Sequence, residues 1–111
     1  MPWLAWVLTA PACASDADAV EQLVRIAYLA EVASYCSLVD DAVTRGFRIE
    51  RDRIVEAGNL GPAEIESART RAWRMGHEEW QNRGLGGFRG WCRGEGTEAA
   101  RFFRRIAGEP G

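Results

Sequence analysis

The chain has no lysine. All 14 of its basic residues are arginine, a bias that GC-rich coding explains before any function does. It has one histidine, His77, and three cysteines, Cys13, Cys36 and Cys92. These shortages exclude several chemistries. His77-Glu78-Glu79-Trp80-Gln81 begins like the zinc-protease helix motif, but Gln81 stands where the second histidine belongs. Arg74 occupies the position three before His77, so there is no Glu-x-x-His pair for a carboxylate-bridged di-iron site. No C-x-x-C pair offers a redox or haem-attachment site. Gly84-x-Gly86-x-x-Arg89 lacks the third glycine of the dinucleotide fingerprint, and no strand precedes it. No metal ligand, cofactor or catalytic residue is therefore assigned. Polar and apolar residues nowhere alternate long enough under β-branched enrichment to specify a strand. There are no repeats or low-complexity tracts.

What is present is ordinary globular composition, with 47% hydrophobic and 27% charged residues in 111 positions. That is enough for one domain with one modest core. The formal charge of -2 is unevenly spread: residues 16–66 carry eleven acids against five arginines, and residues 67–111 carry nine arginines against five acids. The chain is dipolar, with a basic second half suited to an anionic partner. Its overall negative charge argues against nucleic acid.

Trp3 to Ala10 is an uncharged apolar run, followed by Pro11 and the small-residue site Ala12-Cys13-Ala14. This reads as the h-region and cleavage site of a signal peptide over 1–14, leaving 15–111 as a single helical domain. Its n-region lacks the usual basic residue. At about 12 residues the segment is too short to span a bilayer, which takes roughly 20, and no other segment is a transmembrane candidate. The expected address is periplasmic or secreted. Lipid anchoring through Cys13 is the alternative. Cleavage removes Cys13, and the two remaining cysteines, Cys36 and Cys92, then form one structural disulfide in an oxidising compartment.

Hydrophobic periodicity predicts an all-α bundle of about four helices. The first, 16–34, is apolar nearly all round through Val20, Leu23, Val24, Ile26, Ala27, Leu29, Val32 and Ala33, and so belongs at the centre. Ser37-Leu38-Val39-Asp40 matches a capping box and opens a second helix just after Cys36. That helix carries Val43, Phe47, Ile54 and Ala57, kinks or packs closely at Gly46, and ends with Gly58 as a left-handed cap. A third, from about 63 to 83 behind Pro62, turns Ile65, Ala68, Ala72, Trp73, Met75, Gly76 and Trp80 inward. A glycine-rich loop over 84–90 lets Trp91 and Cys92 swing back to Cys36. A last helix, 97–107, faces Ala99, Phe102, Phe103 and Ile106 inward and Arg101, Arg104 and Arg105 outward.

Two groups of residues are candidates for function. Glu31, Glu50, Arg69 and Glu79 fall within or beside the apolar stripes, where a buried carboxylate needs a partner or a proton. They read as an internal ion-pair network or, alternatively, as acid–base or cation-binding groups. In the second half arginines interleave with aromatics, and Trp91, Arg93, Arg104 and Arg105 form the candidate binding surface. The expected role is that of an exported, periplasmic, non-catalytic accessory or protein-binding module, its partner another envelope protein or an anionic envelope component. A small hydrolase or cation-binding protein using the inward carboxylates, and a chaperone-like envelope stress protein, are the alternatives.

Overall fold

The computed structural model describes residues 16–84 and 86–109. The proposed leader, 1–14, lies outside them. The described chain is helical, with no strand among its residues. Its elements are α1 (Asp16–Tyr35), α2 (Asp41–Gly58), α3 (Pro62–Asn82), the short α4 (Phe88–Trp91), a π-helical turn (Cys92–Gly96) and α5 (Thr97–Ile106). The last three run on without a break, so the architecture is a bundle of four helical segments.

As its all-round hydrophobicity requires, α1 is the central element: Ala19, Leu23, Val24, Ile26, Ala27, Val32 and Ala33 are all buried. It packs against α2, α3 and α5, and α2 packs in turn against α5. Large side chains fill that side. Leu23, Val32, Val43, Ile54 and Phe103 are the largest fully buried residues, and the Phe47 ring meets Phe103 edge-on at 5.8 Å. The helix period holds here, with one departure: Ala100 is buried beside Ala99 and Phe103, whereas Phe102 turns half outward. Gly46 does not break α2. It lets α5 approach so closely that a Cβ there would sit 1.9 Å from the Phe103 carbonyl oxygen.

Helix ends follow local hydrogen bonding, and two differ from the sequence reading. Ser37 does not open a capping box. It closes α1 in a left-handed conformation (φ 57°), with Ser37 N–H donating to the Ser34 carbonyl at 3.0 Å and Leu38 N–H to that of Ala33 at 2.9 Å. The cap of α2 is Asp40, whose Oδ1 accepts from Val43 N–H at 2.9 Å. At the other end of α2 the left-handed residue is Asn59 (φ 51°) rather than Gly58. Pro62 opens α3 as expected, and the Glu64 carboxylate accepts from Gly61 N–H at 3.0 Å.

α3 docks on α1 by a different device. Its buried residues are Ala68, Ala72 and Gly76, one small side chain per turn, and a Cβ on Gly76 would meet Glu31 Cβ at 3.0 Å. Trp73 and Met75, expected inside, lie 51% and 41% exposed. At 100° per residue, Trp73 is rotated about a quarter-turn from Ala72, and the close α1–α3 approach has no space for an indole.

The glycine-rich segment is the larger departure. The turn at Gly84 and Gly86, both with positive φ, is short; Phe88 already begins a helix that continues through Cys92 to α5. Six glycines between 84 and 96 oppose this by helix propensity alone. Tertiary ties override them. Cys92 is bonded to Cys36 (Cα–Cα 5.3 Å), Trp91 is buried, and Thr97 returns both its N–H and its hydroxyl to the Cys92 carbonyl, closing the π turn. The disulfide lies so close that a Cβ on Gly96 would fall 2.7 Å from Cys36 Sγ. Closing a loop of 56 residues stabilises the fold by about 4 kcal/mol in the chain-entropy model.

Candidate functional site

The candidate binding residues of the second half do not form one surface. Trp91 is 3% exposed, packed behind the disulfide with the Arg83 guanidinium over its ring at 5.1 Å and Tyr35 at 6.2 Å. Its place beside Cys92 in the helix turns it inward. The indole Nε1 is buried without a hydrogen bond of normal geometry and interacts only weakly with the Tyr28 hydroxyl. Arg104 is partly covered and tied to the Asp40 carboxylate at 3.1 Å. Arg93 and Arg105 are exposed.

The four charged residues of the apolar stripes are also dispersed, and no charged side chain is fully buried among the described residues. Glu50 pairs with Arg53 one turn along its own helix (2.5 Å). Arg69 pairs with Glu66 at 3.5 Å, and Glu79 with Arg83 at 2.5 Å. In each case an arginine three or four residues away satisfies the carboxylate from the same helix face. Glu31 has no hydrogen bond or ion pair among the described residues. No group of histidine, cysteine, aspartate or glutamate suited to a metal ion occurs among them.

At the disulfide end, Tyr35 connects several aromatic groups. Its ring stacks on Trp80 (5.2 Å), which meets Phe88 (5.4 Å), and its hydroxyl lies 3.1 Å from His77 Nδ1. His77 is half-buried here and stacks flat on Trp73, ring to ring at 5.0 Å and 7°. The Tyr28 hydroxyl donates to Glu95 Oε1 at 3.2 Å. Burial first, and then the charges of Glu95 and Glu79, push Tyr28 up to about 12.

A concave surface lies elsewhere, on the side of α1 left open because α2 and α3 diverge. Each packs on α1, but they make no substantial contact with one another. Between them run two adjoining cavities of about 420 and 580 Å³ that share Ala27, Phe47 and Arg69. Leu23, Ala27 and Ala30 of α1 form the floor, Phe47 and Val55 the α2 wall, and Ile65, Thr70 and Trp73 the α3 wall. Sequence reasoning placed Glu31 and Arg69 near one another, and both line this groove. It missed Thr70 and the outward face of Trp73. A signal was available: Glu66, Arg69, Thr70, Trp73 and His77 recur at three- and four-residue steps, a second stripe flanking the buried one.

No family model, curated protein or solved structure matches this chain.

Proposed function

We propose that the chain is a non-catalytic protein-binding module of an oxidising compartment, the bacterial periplasm, and that it receives an amphipathic helix of its partner in the groove between α2 and α3. The observation carrying this reading is the open groove itself: an apolar floor two helical turns long, from Leu23 to Ala30, beneath a half-exposed tryptophan that the fold does not cover. Helix-in-groove docking requires such a surface, and tryptophan is a usual anchor of binding energy. The disulfide supports the oxidising address, as does the leader-like pattern of residues 1–14.

The test is co-purification of a partner from periplasmic extract with the oxidised chain, its Trp73→Ala variant and its Arg104→Glu/Arg105→Glu variant. Loss of capture in Trp73→Ala, with retention in the arginine double variant, is the expected pattern. The reverse pattern would return the binding surface to α5 and end the groove reading.

A further inference from the structure

The groove carries one unbalanced charge. Where it meets Trp73, its charged groups are Glu31, Glu66 and Arg69. Arg69 is paired with Glu66 at 3.5 Å, which leaves the Glu31 carboxylate without an ion pair or hydrogen bond among the described residues. Its methylene stem lies on α3, close enough that a Cβ on Gly76 would touch it, so α3 fixes its direction. That carboxylate, half-covered beside an apolar floor, is available to a cationic partner. A hard metal ion is the wrong cation, because it needs several oxygen ligands and only one free carboxylate is present.

The aromatic wall narrows the class further. Trp73 is 51% exposed, and stacking on His77 fixes the plane of its ring, so it presents a flat and pre-organised π surface beside Glu31. Indole is the best of the side-chain rings for a cation. Thr70 adds a hydroxyl that can accept a further N–H. The same molecule already uses this combination elsewhere. At the disulfide end a guanidinium, that of Arg83, lies over the Trp91 ring at 5.1 Å and is held by the Glu79 carboxylate at 2.5 Å. The groove repeats the tryptophan and the carboxylate, but the guanidinium that lines it, that of Arg69, is paired with Glu66 and not with Glu31. A planar guanidinium satisfies stacking and carboxylate together, which a compact ammonium does not do as well.

We propose that Trp73, Glu31 and Thr70 form a site for an arginine side chain presented by the partner, with Glu31 as counter-ion and Trp73 as stacking face. This rests on the groove being the docking surface and names what it selects.

The experiment titrates the full oxidised chain with N-acetylarginine methylamide, and with its neutral analogue N-acetylcitrulline methylamide, following the Trp73 indole and Thr70 amide signals by NMR. The arginine probe is expected to saturate in the millimolar range and to bind about tenfold more tightly than citrulline, the size of effect a charge-assisted contact gives. Glu31→Gln should remove that advantage while leaving citrulline binding unchanged, and Trp73→Phe should weaken the arginine probe alone. Equal binding of the two probes, or an unchanged preference in a folded Glu31→Gln variant, overturns the proposal. The outcomes also separate the two readings. Arginine selectivity with partner capture intact in Trp73→Ala refutes groove docking and leaves the site standing. Loss of capture without arginine selectivity does the opposite.

Discussion

The two sides of α1 are built by opposite rules. Toward α2 and α5 the helix buries leucine, isoleucine, valine and phenylalanine, and the interface is closed. Toward α3 it meets a row of alanine, alanine and glycine, and Trp73 and Met75 of α3 turn outward. The largest fully buried side chains outside α1, Val43, Ile54 and Phe103, all belong to the first side, and stability follows buried apolar area. The second adds Ile65 and the Trp80–Tyr35 stack to its small residues, and it leaves Trp73 and charged groups at the rim of a groove. One helix thus divides a stabilising face from a receptive one.

Substituting one residue on each side gives the widest contrast. Phe103→Ala, at a position with no exposed surface, should cost about 3–5 kcal/mol in urea denaturation, whereas Trp73→Ala should stay within about 0.5 kcal/mol. Comparable losses at both positions would break the comparison. Glycines sharpen it. Gly46→Ala drives a Cβ into the α5 backbone and should cost about 1–3 kcal/mol or more. At Gly76→Ala the nearest atom is the Glu31 Cβ at 3.0 Å, which is held by the α1 backbone, so α1 and α3 must part by a few tenths of an ångström, and the gain in helix propensity of about 1 kcal/mol offsets part of that crowding. A smaller loss than at Gly46 is expected in thermal melts.

Smaller effects come from single polar groups. Asp40→Ala removes the α2 cap and the Arg104 contact, lowering Tm by less than either core substitution. The Val43 N–H first, and then Arg104, hold the Asp40 carboxyl below its ordinary value. A lowered folded value means that its stabilisation is present above about pH 4 and fades as pH falls. In thermal melts the acid limb of the Asp40→Ala stability profile should therefore be flatter than that of the unsubstituted chain. Tyr28 works at the opposite end of the scale. Its folded value of about 12 lies above the ordinary 10, so its contribution is complete below pH 10 and is lost as pH climbs toward 12. A spectrophotometric titration should show a tyrosine ionising late, and Glu95→Gln should bring it earlier.

The closed side was the more legible. Repeats of three and four apolar residues placed α1 at the centre and identified Val43, Ile54, Ala99 and Phe103, because burial by large side chains leaves a period in the sequence. The cysteine count identified the Cys36–Cys92 bond. The open side was read less well. A stripe of small residues and a neighbouring stripe with Trp73 both look helical, and only the spacing between helices decides which faces in. Glu50 and Glu79 fell at inward angles, yet arginines one turn away drew them into pairs along the surface. The segment from Gly84 to Gly96 reads as loop by composition, and its helix is imposed by contacts distant in the chain. The groove itself exists because α2 and α3 diverge, which no local pattern encodes.

The Cys36–Cys92 bond also changes the topology of the chain. It makes residues 36–92 a closed ring containing α2, α3 and the glycine turn, with α1 and α5 leaving as two tails from adjacent points. A single backbone cut anywhere in that ring, the turn at Gly84–Gly87 included, opens it without releasing a fragment. A nicked molecule should migrate as one species until a thiol reductant is added, with both walls of the groove still on one covalent body.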